Sequence, residues 1–299
     1  MRIGIFIGNS VPQEGGVFAF ADNIIESLLR AENRHEFFVI YYGPARYSNN
    51  SRIRFISISH PLGRFRNQAI LRAVLRQIGM EPETNLQKAA RAHHIDIMWF
   101  LTNSHEEVRI PFILTVLDLE HRVHPFVPDV SATGNTWENR EKHFSSAIPR
   151  AAFVITGTEA GKREIIRFYH AEENNIRVLP FPAPSFSRMS SNGEGVFNKY
   201  NISQPYLFYP AQFWPHKNHV CLLHTLKLLE ERDALIFSLV LTGTDKGNLN
   251  YVKKVAKDIG ISSRVHFLGF VPQEDLTALY KNAFAMIFAS FCIVIIPQN

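Results

Sequence analysis

Several short segments place charged or polar side chains where the chain leaves an apolar run. In Pro210-Ala211-Gln212-Phe213-Trp214-Pro215-His216-Lys217-Asn218, Lys217 stands where the flanking pattern predicts the start of a helix. A compact ammonium there adds to the positive N-terminal end of the helix, and together the two can neutralise a diphosphate. Taken alone, a lysine at a helix start is also unremarkable. Upstream, Glu14-Gly15-Gly16-Val17-Phe18 opens another predicted helix. Its adjacent glycines, Gly15 and Gly16, either let the backbone approach an anion closely or simply make a tight turn.

Ile113-Leu114-Thr115-Val116-Leu117-Asp118-Leu119-Glu120-His121-Arg122 puts a carboxylate, an imidazole and a guanidinium just past a buried strand. His121 there suits acceptance or relay of a hydroxyl proton, with Asp118 beside it. Structural ion pairing among Asp118, His121 and Arg122 is the competing account. In Ala151 to Glu164, Thr158 is expected to cap a helix whose first turn holds Glu159; a place at a strand end also permits both to touch a substrate. Leu241-Thr242-Gly243-Thr244-Asp245 is a strand-end turn in which Gly243 serves chain reversal, ligand approach, or both.

Short apolar runs alternating with amphipathic stretches must position these groups. Strands are expected at Ile3 to Gly8, Phe37 to Tyr42, Ile53 to Ser57, Ile95 to Phe100, Ile113 to Leu117, Ala152 to Thr156 and Ile176 to Leu179. Helices are expected near 18–30, 67–78 and 159–169. This is the rhythm of a parallel, doubly wound α/β sheet. The stretch Pro180 to Pro205, with its prolines and Ser190-Ser191-Asn192-Gly193, breaks the rhythm. The expected division is therefore a first domain over 1–187, a linker over 188–204 and a second domain over 205–299. The second series comprises strands at Tyr206 to Tyr209, Ile236 to Thr242, Val265 to Leu268 and Ala283 to Phe288. Its helices are expected near 218–232, 249–259 and 273–282. Two such domains joined by a linker predict a ligand cleft at the carboxyl ends of the strands.

The 299-residue chain is 46% hydrophobic and 20% charged, the balance of a globular protein. Its net charge of +5 and pI near 9.2 favour anionic partners. No zinc, helix-turn-helix or aromatic RNA-binding pattern is present, so nucleic acid is not expected among them. Only Cys221 and Cys292 occur, without metal-ligand spacing, so a disulfide framework and a structural metal are not expected. The N-terminal apolar run is too short for a secretory signal, and a cytoplasmic protein is expected. The predicted helix near Asn67 to Ile78 buries Ile70, Leu71, Val74, Leu75 and Ile78 and carries Arg72 and Arg76, after Arg64 and Arg66. Such a helix either covers a core or docks peripherally on an anionic inner membrane face.

Taken together, Glu14-Gly15-Gly16, Thr115 to Arg122, Ala152 to Glu159, Pro215-His216-Lys217-Asn218 and Val265-His266-Phe267-Leu268-Gly269-Phe270-Val271-Pro272 resemble glycosyltransferase family 4, in order and spacing. The resemblance runs over residues 1 to about 290. It implies a GT-B fold: two Rossmann-like domains facing across a cleft, here with the second incomplete. It also implies sugar transfer from a nucleotide-sugar donor to a glycan or lipid-linked acceptor with retention of configuration, in polysaccharide biosynthesis. The nucleotide-sugar is a substrate, and neither cofactor nor catalytic metal is implied. Lys217 matches the family's diphosphate-binding lysine, and Gly15 and Gly16 match the loop approaching that diphosphate. Gly243 joins the donor side, while Gly269, Phe270 and Val271 lie where the base pocket begins. Asp118 and His121 fall at the catalytic position, with Arg122, Thr158 and Glu159 on the acceptor side.

Three departures accompany the resemblance. Gln212, expected on the donor-binding side, stands where many relatives carry an arginine, so a hydrogen-bond donor is kept and a charge lost. Leu117 stands where many have a histidine immediately before the aspartate. After Ala289-Ser290 the family usually continues into a Glu-x7-Glu segment, whereas this sequence reads Phe291-Cys292-Ile293-Val294-Ile295-Ile296-Pro297-Gln298-Asn299. That apolar tail reads as a truncation or a shifted frame and predicts exposed sheet edge and poor stability. It also raises an alternative, a catalytically inactive truncated transferase acting as a binding module or pseudogene product. A two-domain nucleotide-sugar epimerase is a further enzymatic rival.

Overall fold

The structure, a computed structural model, describes residues 1–9, 16–32, 34–44, 47, 52–60, 83–102, 105–127, 136–182, 194–202 and 205–291. Gly15, the basic helix expected near 67–78, the Ser190 to Gly193 cluster and the tail from Cys292 lie outside these residues. The described chain forms two compact units. One comprises Met1–Leu119 and Glu138–Pro182; the other comprises Glu120–Trp137 and Ala183–Ile296.

In the first unit, β1 (Arg2–Gly8), β2 (Glu36–Tyr42), β3 (Ile53–Ile58), β4 (Ile97–Phe100), β5 (Phe112–Thr115), β6 (Phe153–Thr156) and β7 (Ile176–Val178) form a parallel seven-stranded sheet. Its order is β3-β2-β1-β4-β5-β6-β7. The near-continuous apolar strands reflect burial on both faces. Alternate residues go to opposite cores: Phe38, Ile40 and Tyr42 pack with Phe6, whereas Phe37, Val39 and Tyr41 pack with Ile5 and Ile7. Helix α1 (Gly16–Arg30) covers the second core through Phe20, Ala21, Ile24 and Ile25, which share one face. Burying Phe20, Ile24 and Ile25 contributes about 1.5–3 kcal/mol each before chain entropy is subtracted.

Among the described residues the following helices, in chain order, are α2 (Asn85–Ala92), α3 (Glu120–Val123, in the segment grouped with the other unit), α4 (Trp137–Ala147) and α5 (Glu159–Tyr169). The first three were not expected, because the large apolar residues in each are few. Tertiary contacts supply what periodicity did not. In α2, Thr84 accepts from the Gln87 N–H at 3.0 Å, and the buried Gln87 Oε1 accepts from the Arg109 N–H at 2.6 Å. Helix α5 has the expected bounds, with Thr158 as its cap accepting from the Gly161 N–H at 3.0 Å.

The second unit holds α6 (Glu194–Tyr200), β8 (Tyr206–Pro210), α7 (His219–Asp233), β9 (Ser238–Thr242), α8 (Leu249–Asp258), β10 (Val265–Gly269), α9 (Gln273–Asn282) and β11 (Ala285–Met286). Its four parallel strands run β10-β9-β8-β11. Tyr209, Leu239 and Leu241 face α7 and α8, while Tyr206, Phe208 and Val240 face α9. The expected linker over 188–204 differs from what is found: it is helical from Glu194, with Val196 and Ile202 buried against Tyr206 and Phe208. Val196, Phe197 and Tyr200 share a helical face, a signal that the adjoining Ser/Asn/Gly cluster obscured. Lys199 and the Tyr200 hydroxyl both reach Asp275 at 2.6 Å, joining α6 to α9. Strand β11 is shorter than expected and forms the sheet edge, with Phe284 and Met286 exposed.

Candidate functional site

The strand orders say where to look. In the second sheet the chain runs outward from β8 through β9 to β10, then returns so that β11 lies on the other side of β8. The carboxyl ends of β8 and β11 thus flank a reversal of strand order, where open α/β sheets bind ligands. Lys217 lies in the turn after β8, on a short 3-10 segment, Pro215–Lys217, that ends at Asn218. Asn218 adopts the left-handed conformation (φ 52°, ψ 41°), which turns the chain directly into α7. Asn218 makes no side-chain cap to α7, so the first-turn N–H groups add their dipole beside the Lys217 charge.

This turn is tied to the end of β11. The buried Tyr209 hydroxyl donates to the Lys217 carbonyl at 3.0 Å and lies 3.0 Å from Ser290 Oγ. A phenol has one proton, and a carbonyl can only accept, so Ser290 is the donor in the second bond. Burial raises the Tyr209 pKa and keeps that proton in place. The Phe291 N–H donates to the His216 carbonyl at 2.9 Å. Lys217 Nζ stands 6.0 Å from the centre of the Phe288 ring.

On its other side the same turn meets the end of β9. The Phe213 N–H donates to the Thr244 carbonyl at 3.0 Å, and Phe213 forms a parallel bridge with Asp245. Gln212 lies between Trp214 and Thr244, within hydrogen-bond reach of both. Gly243 is required here: its φ is +135°, and a Cβ would sit 2.5 Å from the Ala211 carbonyl oxygen. Its N–H donates to the Gly269 carbonyl at 2.7 Å, bringing in the end of β10. Gly269 is also left-handed (φ +67°). Beyond it Phe270 is exposed, whereas the Val271 side chain is buried in the core, leaving its backbone as the group it can offer. Asp245 Oδ1 accepts from the Leu249 N–H at 3.1 Å and the Gly247 N–H at 2.8 Å. These bonds, that from Leu249 foremost, hold its carboxyl below the usual aspartate range.

Beneath the turn, His219 is wholly buried, stacked on Phe213 with ring centres 4.5 Å apart. Burial lowers its pKa to about 4, only partly opposed by the Ala211 carbonyl at 3.4 Å from Nε2. It is therefore a neutral core residue at neutral pH.

In the first unit the polar groups are engaged differently. Asp118 pairs with Arg140 of α4 at 2.5 Å, with both side chains mostly buried. Motif reading did not single out Arg140 as the partner of Asp118, because it lies 22 positions away. Thr158 is occupied as the cap of α5, and Glu159 is exposed at its first position. Gly16 is exposed at the start of α1, with nothing within 4 Å of where a Cβ would stand. In the segment Glu120–Trp137, which is grouped with the other unit, His121 is fully buried, its ring 6.2 Å from Trp137, and the Arg122 guanidinium lies 5.2 Å over the same indole.

Residues 196–296, which contain this second-sheet rim, match the family Glycosyl transferases group 1. The chain is 25% identical over 154 residues to the O-antigen chain mannosyltransferase B of Escherichia coli, across 50% of this chain and 40% of that protein. It is 23% identical over 156 residues to the serotype-specific mannosyltransferase WbdA of Escherichia coli, across 52% of this chain and 18% of that protein. It thus spans less than half of the curated relatives it matches. Among solved structures it is similar to WaaG, a glycosyltransferase involved in lipopolysaccharide biosynthesis (TM-score 0.65, 15% identity, 98% of this chain and 76% of that one). It is also similar to a sucrose-phosphate synthase from Thermosynechococcus elongatus (TM-score 0.66, 12% identity, 97% and 76%). The Anabaena protein HepE in complex with UDP and glucose follows at TM-score 0.60 and 14% identity, over 97% and 74%. The two Rossmann-like units with parallel sheets have the fold of GT-B glycosyltransferases, and residues 196–296 are similar to the group 1 family of those enzymes.

Proposed function

We propose that this chain belongs to a retaining glycosyltransferase that moves a sugar, mannose foremost, from a nucleotide-sugar donor to a growing glycan or lipid-linked acceptor. The observation that carries the reading is the place of Lys217: at the reversal of strand order, beside the N-terminus of α7, inside the segment that matches the group 1 family. Departure of a nucleoside diphosphate builds negative charge, and an ammonium with a helix N-terminus stabilises that charge as it develops. The backbone around Gly243 and from Gly269 through Phe270 to Val271 completes the donor side. In the same reading Gly15 and Gly16 approach the diphosphate, Asp118 and His121 take the catalytic position, and Arg122, Thr158 and Glu159 belong to the acceptor side. The mannosyltransferase names of the curated relatives support the sugar, and the UDP and glucose in the HepE complex support a nucleotide-sugar donor. Peripheral contact with an inner membrane face belongs to the same reading. No helix among the described residues is long and apolar enough to cross a membrane.

The test is turnover by the purified chain of a panel containing nucleotide-activated mannose and UDP-glucose, scoring nucleoside diphosphate release and the anomeric configuration of the product. Release with transfer supports the reading. Absence of both turnover and donor binding across the panel would sink it.

A further inference from the structure

One side-chain amide joins the turns that follow β8 and β9. Gln212 Oε1 accepts from the Trp214 indole N–H at 3.0 Å, and Gln212 Nε2 donates to Thr244 Oγ1 at 3.1 Å. The orientation of the amide follows from chemistry: an indole N–H can only donate, so the amide end that faces it is the oxygen. Main-chain pairing of Phe213 with Thr244 runs alongside. The Trp214 carbonyl in turn accepts the Lys217 N–H at 3.1 Å. A continuous path of hydrogen bonds therefore leads from the β9 turn through Gln212 and Trp214 to Lys217.

We propose that Gln212 is a positioning residue for Lys217: its amide clasps Trp214 to Thr244 and so sets where the lysine-bearing turn stands against the β9 turn. The proposal rests on the reading of Lys217 as a diphosphate-binding side chain. Each end of the amide engages the protein, the oxygen at Trp214 and the nitrogen at Thr244. The exchange of charge for amide at this position acquires a physical meaning. Arginine, the side chain that many resembling sequences carry here, has donors and no acceptor. Placed at 212 it would meet the indole N–H with another donor and open the clasp, even as it adds positive charge.

The experiment compares wild type with Gln212→Met, Gln212→Arg, Trp214→Phe and the double variant Gln212→Met/Trp214→Phe, each first checked for folding by circular dichroism. UDP and GDP affinities are measured by calorimetry, and indole proton exchange by NMR. The Trp99 indole, bonded to Thr115 Oγ1 at 2.9 Å, serves as an internal reference. Gln212→Met is expected to weaken binding on the order of five- to tenfold. It should also speed exchange of the Trp214 indole proton and leave that of Trp99 unchanged. Gln212→Arg should weaken binding despite its charge, and Gln212→Met should cost much less in the Trp214→Phe background. Tighter binding by Gln212→Arg, additive single-variant effects, or unchanged Trp214 exchange overturns the clasp while leaving the donor reading intact. A wild type that binds neither UDP nor GDP, nor any nucleotide-sugar of the panel, overturns the donor reading and this role with it.

Discussion

The carboxyl ends of the two sheets are built from similar residue types used in different ways. At the first sheet, Thr158 closes the start of its own helix and Asp118 is paired with Arg140. At the second, Tyr209, Ser290, Gln212 and the Gly243 N–H each bond to another strand's turn, so that the ends of β10, β9, β8 and β11 are joined in series. The same polar groups can finish an element or join several. Joining holds a charged side chain such as Lys217 in a fixed frame, and preorganisation of that kind makes electrostatic stabilisation effective.

The comparison breaks most readily at Lys217. Lys217→Ala should lower donor turnover on the order of 100- to 1,000-fold while leaving the unfolding midpoint little changed. An effect under tenfold in steady-state kcat would mean that the second rim does not carry the charge. Next in size, Gly243→Ala must place a Cβ against the Ala211 carbonyl at a φ of +135°. A cost of about 1–3 kcal/mol is expected, read as a lower urea midpoint for the second unit alone.

Acidification tests both units together. His105 and His219 each have a pKa lowered to about 4, chiefly by burial. Beside His105, the charges of His143 and Arg150 lower it further while Glu107 opposes them. In the unfolded chain both imidazoles take up a proton near pH 6.5. Between that pH and about 4 the unfolded state binds more protons, so stability is full above 6.5 and falls as pH drops through this window. Tm measured from pH 7.5 to 4.5 should decline, and His219→Phe should remove the share carried by His219 while leaving that of His105. The smallest expected effect is that of Thr158→Ala, which loses a helix cap and about 1 kcal/mol. It should leave UDP and GDP affinity unchanged, and a fall in affinity would bring the first rim closer to the second in kind.

Much of the fold was legible in the chain itself. Helices over 159–169 and 273–282 were expected with the bounds found, because Thr158 caps the first and clear apolar spacing marks both. Helix α6 was hidden beneath a Ser/Asn/Gly cluster, and α2 owes its place to Gln87 and Thr84 bonding to loop backbone beyond the helix. At the candidate site, the places of Lys217 and Gly243 were visible because each sits in a turn that directly follows an apolar strand. Arg140, Tyr209 and Ser290 were not, since nothing local marks a side chain whose partner is far away in sequence.

The alternation of apolar runs and amphipathic stretches determined, by itself, the α/β class and the turns in which the charged residues stand, because those periods are local properties of strand and helix. Only the tertiary structure decided which turns meet. That Tyr209 reaches Ser290, 81 positions away, and that Gln212 reaches Thr244, 32 positions away, follows from the strand order β10-β9-β8-β11. That order is set by how the helices and both cores pack around the sheet, a sum of many weak contacts that no short window of sequence contains.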